Sequence, residues 1–470
     1  MVAIFMNIRD RKFLTLALLL MAAFPIGSAL GQTPQAPEPS PETKEAKVPS
    51  ETRPARVLFD EADSYTKKRF EEFNKQKLPY DQELESKTKQ EQQRLAAKNA
   101  ADLQARKSLA GGDVYYVGML NHIAGNADEA LEAMRRYLSS GPMGENAQLA
   151  RAVVVLYATR KDLIPEAERA VEAYAKNQPQ ILAEWFGMET LITQALQKSK
   201  DYDRMSTHAQ EMLKIARLAA SDKKTNAFRR DDMLFKATSL IVDADTHLNK
   251  KDAAIGTVAE LRKMAISLPS GNLLRLANTS LVSLDHSIEP RELFYSSEPP
   301  AAVALPDIVA AQWIDQAPVK LSELRGQVVL LDFWAPWCGP CRYTFPKLQQ
   351  WHESYKDKGL VILGLTNFFG HANGRKLTHD EEIAYLRSFK KTNRLPYGFV
   401  VADSEVNDLN YGVFSIPMSF LIDRSGKVRF IAMGASEKEI AGLGKMLQTV
   451  LAESYSAGTE MKNAGVAAKD

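Results

Sequence analysis

The chain has 470 residues, 45% of them hydrophobic and 25% charged, with a formal net charge of +2 at pH 7. This length accommodates about three domains, and the near-neutral balance excludes the basic field that nucleic-acid binding needs, so no nucleic-acid partner is expected. With two cysteines in all, a disulfide-dense scaffold is excluded as well.

The N-terminus carries Arg9, Arg11 and Lys12, then the apolar run FLTLALLLMAAF (13–24), broken by Pro25 and Gly27. Ala29, Leu30 and Gly31 supply small residues in the spacing of a cleavage site. The pattern predicts a signal peptide over 1–31 and an exported protein, periplasmic or otherwise extracytoplasmic, in a compartment where disulfides persist. The alternative is an uncleaved N-terminal membrane anchor, for which the run is short. Residues 32–56, QTPQAPEPSPETKEAKVPSETRPAR, are rich in Pro, Glu and Thr and poor in large apolar residues; they predict a disordered linker.

From 57 to 295 apolar residues recur at three- and four-residue spacing, which predicts helices. NADEALEAMRRYLSS (126–140) and IPEAERAVEAYAKNQ (164–178) look alike; KDYDRMSTHAQEMLKIA (200–216) follows at a similar interval, and KDAAIGTVAELRKMAI (251–266) is a looser fourth. Repeats of this length point to an α-solenoid. Gly118, Ala124, Gly125 and Ala130 resemble the small-residue positions of tetratricopeptide (TPR) repeats, although most consensus aromatics are missing. Such a region is either a docking surface for a protein partner or a spacer. The charged helix expected over 81–108 reads as a solvated face.

SSEPPAAVALP (296–306) marks a boundary, and the two halves are expected to fold independently across it. The α/β pattern beyond it occupies 301–455, leaving 456–470 as a flexible tail. VVLLDFW (328–334) and LVILGLT (360–366) are short apolar runs typical of strands buried on both faces. Helices are expected over 338–357 and 378–392, the second opened by a capping box of Thr378 and Glu381. PMSFLID and KVRFIAMG, joined by RSG, predict an antiparallel hairpin, and SEKEIAGLGKMLQTVLAES a last helix. The expected product is a mixed sheet with helices on both faces.

Both cysteines, Cys338 and Cys341, fall in LLDFWAPWCGPCRYTFP (330–346). A pair three apart is either part of a metal site or a redox pair. Zinc needs about four ligands, and the seven histidines are scattered, so no metal is expected. Placed between a strand and a helix, Cys338 sits at the helix N-terminus, where unpaired N–H groups and the macrodipole favour a thiolate. It is the candidate nucleophile, and Cys341, one turn along, the resolving thiol. Gly339 and Pro340 keep the loop tight, the proline falling where N–H groups are spare. Asp332 ends an apolar strand where charge is costly; burial raises its pKa and suits it to accept the proton of Cys341. Pro417 opens a strand-like run, FSIPMSFLID (414–423), which a cis Ile416–Pro417 bond accommodates. The backbone there offers an edge for an extended substrate.

DFWAPWCGPC, SIPMSFLID and Gly434 in IAMGASEKE together resemble the thioredoxin superfamily, most closely the exported TlpA-like thiol-disulfide oxidoreductases (redoxin domain), over about residues 304–453. LPDIVAAQWIDQAPVKLSELRGQVVLLDFW resembles that family's N-terminal hairpin, and EEIAYLRSFKK its inserted helix. The resemblance implies a multidomain protein, with an all-α TPR-like repeat region followed by an α/β thioredoxin fold. It implies a Cys338–Cys341 disulfide, a cis-Pro417, a Trp337 that shields the active surface, and a Gly434 that keeps the backbone low where substrate lies. It implies no cofactor; the partners are disulfide-containing or thiol proteins and a membrane-linked electron donor. The Gly339–Pro340 dipeptide favours reduction of protein disulfides. Many TlpA-like proteins carry Asn where Asp332 stands. Those dedicated to cytochrome c maturation have a glutamate after the strand matching LVILGLT, where this chain continues NFFGHANG; that points away from a cytochrome-specific role. A peroxidase-type redoxin is a rival, but Ala335 stands where such enzymes place Thr. A helical scaffold with an accessory redox domain is the other.

Overall fold

The computed structural model of the chain describes residues 53–79, 81–109, 111–222, 225–288, 305–372 and 374–454. The expected leader at 1–31, nearly all of the linker at 32–56, most of the boundary at 296–306 and the tail at 456–470 lie outside them. The chain forms two compact units that divide between Ile215 and Ala216.

The first unit is helical: α1 (Ala55–Lys75), α2 (Gln82–Gln104), α3 (Gly111–Ala124), α4 (Ala127–Ser139), α5 (Glu145–Arg160), α6 (Ile164–Ala175), α7 (Leu182–Ser199) and the start of α8 (Tyr202–Ser221). The three look-alike segments are α4, α6 and α8. Helices α3 and α4 pack together, as do α5 and α6. Gly118 allows the first of these contacts, because a Cβ there would lie 2.7 Å from Met134 Cε and 3.3 Å from Ala133 Cβ. Helix α5 is buried nearly all round, from Ala147 to Thr159, as its apolar run AVVVLYA requires.

The second unit opens with α9 (Ala227–His247), α10 (Lys251–Ser267) and α11 (Gly271–Leu284). A six-stranded sheet follows, built from β1 (Gln312–Ile314), β2 (Val328–Phe333), β3 (Leu360–Asn367), β6 (Gly398–Ala402), β7 (Met418–Ile422) and β8 (Val428–Met433) in the order β1-β6-β3-β2-β7-β8. β4 (His371–Ala372) and β5 (Arg375–Lys376) form a separate small ribbon. β2 pairs parallel with β3, and β3 with β6. β7 and β8 form the expected antiparallel hairpin, with β7 against β2. The remaining helices are α12 (Gly339–Tyr355), α13 (His379–Thr392), the short α14 (Val406–Asn410) and α15 (Glu437–Ala452). The Thr378–Glu381 capping box is present at α13. β1 does not fold back as a hairpin; it adds antiparallel to β6 at the sheet edge.

The two faces of the sheet are covered differently. Strand residues alternate between faces. Asp332, Trp334 and Ser419 share the face under α12 and α13, where the Trp334 ring meets Phe345 (5.7 Å), Phe389 (5.3 Å) and Phe399 (4.8 Å). Phe333, Met418, Phe420 and Ile431 point the other way. There Phe333, Phe420 and the buried Tyr411 form an aromatic cluster with centroids 5.1–5.6 Å apart. That second face is closed by α14 and by helices from upstream: α9 packs on α14 and α10 on β8. The start of α11 docks through its backbone, Gly271 N–H to Tyr411 O (3.1 Å) and Asn272 N–H to Gly412 O (2.8 Å). The absence of a Cβ at Gly271 leaves room for Met418, whose Sδ would lie 2.2 Å from it. The compact unit that holds the sheet thus begins at Ala216, upstream of the boundary read at 296–306, because the second apolar face needs these helices.

Candidate redox site

β2 delivers the site. All six of its residues are buried, and the chain leaves it through Trp334–Trp337 into α12. Cys338 is the N-cap of that helix, its Sγ accepting the Cys341 N–H at 3.2 Å, and Gly339 and Pro340 form the first turn. Cys338 and Cys341 are joined in a disulfide. Both sulfurs are tucked inward. Cys338 is 4% exposed and Cys341 0%, while Trp337 beside them is 61% exposed. Cys338 Sγ thus faces Cys341 rather than solvent, and Trp337, just before the N-cap, is the exposed side chain of the turn. Trp337 stands edge-on to Phe369, centroids 5.5 Å apart.

Asp332 is fully buried. Its position on β2 puts it on the sheet face that α12 covers. Burial pushes its carboxyl up to about 7, and the Ser419 hydroxyl, donating to Oδ1 at 2.8 Å, works against that rise. Oδ2 has no hydrogen-bond partner among the described residues. Tyr397 lies close by, its phenol held well above its usual range by burial and by Asp332. Neutral surroundings with one unsatisfied oxygen suit a group that takes and gives a proton near neutral pH.

The Ile416–Pro417 bond is cis. Pro417 is buried, Ile416 half-buried and Phe414 and Ser415 exposed. Pro417 O accepts the Gly434 N–H at 2.9 Å, which ties the cis-proline loop to the end of β8. Gly434 has φ +98° and nothing within 4 Å of a would-be Cβ, so glycine is required there by backbone conformation rather than by crowding. The residues expected for the site are all placed at one end of β2, β7 and β8.

Three contributors escaped the sequence reading. Ser419 is one; its signal is a lone hydroxyl in the apolar run MSFLI. Glu382 of α13 is buried, and its carboxylate accepts the N–H groups of Phe369 (2.8 Å) and Gly370 (3.0 Å), holding the loop on which Trp337 rests. The third is the Arg275 guanidinium of α11, 4.9 Å from the ring centroid of Phe414 in the cis-proline loop.

The profile of the AhpC/TSA family matches residues 302–431. The thiol-disulfide oxidoreductase ResA of Oceanobacillus iheyensis is 32% identical over 122 residues, 26% of this chain and 57% of that relative. The ResA of Bacillus anthracis is 31% identical over 121 residues, so the chain spans less than two thirds of the length of either. The ResA of Geobacillus thermodenitrificans is 30% identical over 149 residues, 31% of this chain and 78% of that one. Among solved structures, a putative thiol:disulfide interchange protein DsbE from Chlorobium tepidum is 30% identical and covers 32% of this chain and 99% of its own, with a TM-score of 0.26. Through its C-terminal redoxin domain the chain belongs to the ResA-type thiol-disulfide oxidoreductase family.

Proposed function

We propose that this is an exported thiol-disulfide oxidoreductase that reduces protein disulfides with the Cys338/Cys341 pair. The observation that carries the reading is a Cys338–Cys341 disulfide at the N-cap of α12 on the sheet face that holds the buried Asp332. In the dithiol form, the Cys338 thiolate attacks a substrate disulfide and expels one substrate sulfur as a thiolate. Cys341 then gives its proton to Asp332 and attacks Cys338 Sγ. The second substrate sulfur leaves with its electron pair, and the Cys338–Cys341 disulfide is restored. Two electrons from a membrane-linked donor reset the pair. Trp337, the cis-Pro417 edge and Gly434 form the surface that meets the substrate chain.

Export rests on the Arg9–Lys12 basic cluster and the 13–24 apolar run. Among the described residues no helix is long and apolar enough to cross a membrane. The helices upstream of Ala216 are proposed as TPR-like and as a docking surface for a protein partner; those from Ala216 on are taken up in covering the sheet.

Trapping tests the reading. Cys341→Ser expressed in the envelope accumulates mixed disulfides on Cys338, and Cys338→Ser does not, because Cys338 caps α12, where the helix start favours a thiolate, and Cys341 lies inside the helix. Equal trapping by both variants would overturn the assigned roles, and trapping by neither would overturn the redox reading.

A further inference from the structure

We infer that Ser419 is a proton-relay residue, whose hydroxyl joins the buried Asp332 carboxyl to a solvent groove between α12, β8 and α15. The inference rests on the reading of Asp332 as the proton acceptor of Cys341.

Asp332 has no exposed surface, so a proton it accepts has no direct route to water. Until that proton leaves, the carboxyl cannot act as a base again. Ser419 stands opposite Asp332 across the β2–β7 pair and donates to Oδ1 at 2.8 Å. Among the described residues no other side chain bonds to this carboxyl. Ser419 also lines a groove with Thr344, Lys347, Trp351, Ala432 and Gly434. Lys347 at its rim is exposed, so the groove opens to solvent beside the Gly434 turn. Ser419 is thus in contact with the acid on one side and with the groove on the other. Among the other polar groups buried on this side, Thr344 of the same groove donates its hydroxyl to Cys341 O at 2.8 Å, and Tyr397, Thr366 and the Trp334 indole lie on or next to the sheet strands. Thr366 Oγ1 and Trp334 Nε1 make no hydrogen bond among the described residues, and the Tyr397 phenol is held protonated.

The steps balance. As Cys341 Sγ bonds to Cys338 Sγ, its proton goes to the Asp332 carboxylate and the substrate sulfur leaves as a thiolate with the electron pair of the broken bond. The carboxyl proton then passes to Ser419 Oγ while the proton already on Oγ passes to water in the groove. Carboxylate and hydroxyl are both regenerated, and the released proton is available to the departed thiolate. A hydroxyl does this because it donates and accepts at the same atom.

The test uses the full reduced chain, Ellman's disulfide and a pH indicator in weak buffer, above the midpoint of Asp332. The first coloured thiolate reports attack by Cys338, the second, released unimolecularly, reports resolution by Cys341, and the indicator reports the proton that reaches water. In the unaltered protein that proton should appear with the second thiolate. Ser419→Ala should leave both thiolate releases unchanged and delay the proton behind the second on the order of tenfold, a part of what proton-transfer assistance is worth. Ser419→Thr restores the hydroxyl and should restore the coincidence. A Ser419→Ala proton that keeps pace with the second thiolate within about twofold would reduce Ser419 to an anchor and overturn the relay. Asp332→Asn separates the two levels. If it slows the second release and Ser419→Ala does not delay the proton, the relay alone fails; if it leaves the second release unchanged, the reading of Asp332 as acceptor fails too.

Discussion

Removing everything before Ala301 should destabilise the redox domain, although its sheet and both cysteines would be intact. The fragment loses α9–α11 and with them the cover of one sheet face. Met418 and Ile431, both fully buried on that face, would be exposed, at about 1.5–3 kcal/mol each. Two backbone hydrogen bonds, from Gly271 to Tyr411 and from Asn272 to Gly412, would be lost, at about 0.5–1.5 kcal/mol each because water replaces the donors. The sum, roughly 4–9 kcal/mol, compares with about 5–15 kcal/mol for the whole stability of an ordinary domain. A fragment from Ala216 keeps the cover and should unfold cooperatively in urea at a clearly higher midpoint, with insulin reduction intact. The Ala301 fragment should be marginal and prone to association through its bare apolar face. In the full chain Gly271→Leu probes the same contact, since any Cβ there meets Met418 Sδ at 2.2 Å and Gly412 O at 3.2 Å. Equal urea midpoints for the two fragments would refute the reasoning and restore independent folding across 296–306.

Asp332→Asn should leave attack by Cys338 intact and slow resolution by about 10²–10⁴-fold, the usual worth of a general base; Ellman release kinetics measure both steps. The same residue sets a pH dependence of stability. Its carboxyl is pushed up to about 7 from 3.8, so between those values the folded state holds a proton that the unfolded chain has lost. Stability therefore falls as pH rises from about 4 to about 7, by at most about 4 kcal/mol. Asp332→Asn should remove that fall, which urea unfolding of the oxidised protein at both ends of the range would show; an unchanged pH slope would refute it. Gly118→Leu in the helical unit should lower stability by about 1–3 kcal/mol through overpacking against Met134, read as an earlier thermal transition of that unit.

The redox centre was legible because its chemistry is local in sequence. A thiolate at a helix start demands strand, cysteine pair and helix in unbroken succession. The acid falls on that strand six residues before Cys338, and a proline at the mouth of a buried strand announces itself by the N–H it lacks. The α13 cap was legible for the same reason, since Thr378 and Glu381 satisfy each other within one turn. Ser419 was not, because a hydroxyl in a strand acquires a role only through register. β7 must lie beside β2 with Ser419 opposite Asp332, and no spacing within either strand states that. Glu382 escaped likewise. It reads as one more acidic residue in the first turn of a helix, yet the fold turns it inward onto the backbone of Phe369 and Gly370.

The cover of the second sheet face was hidden for a deeper reason. KDAAIGTVAELRKMAI reads as a fourth member of a helical array, and its periodicity only says that one face of α10 is buried, not against what. The docking of α11 uses backbone N–H groups at a helix start, which nearly every residue possesses. Its one specific demand is a missing side chain at Gly271, and in LPSGN a glycine after Ser270 reads as ordinary punctuation before a helix. Ser270 does cap α11, its Oγ accepting the Leu273 N–H at 3.1 Å. The same hydroxyl also bonds to the buried Asp231 of α9, so the turn that starts α11 is locked to α9 as well as to the Tyr411–Gly412 turn. That turn leads directly into Phe414–Pro417. The cis-proline loop is therefore held from behind by helices that precede the sheet in the chain, through the backbone bonds of Gly271 and Asn272 to the turn before it and through Arg275 over the Phe414 ring.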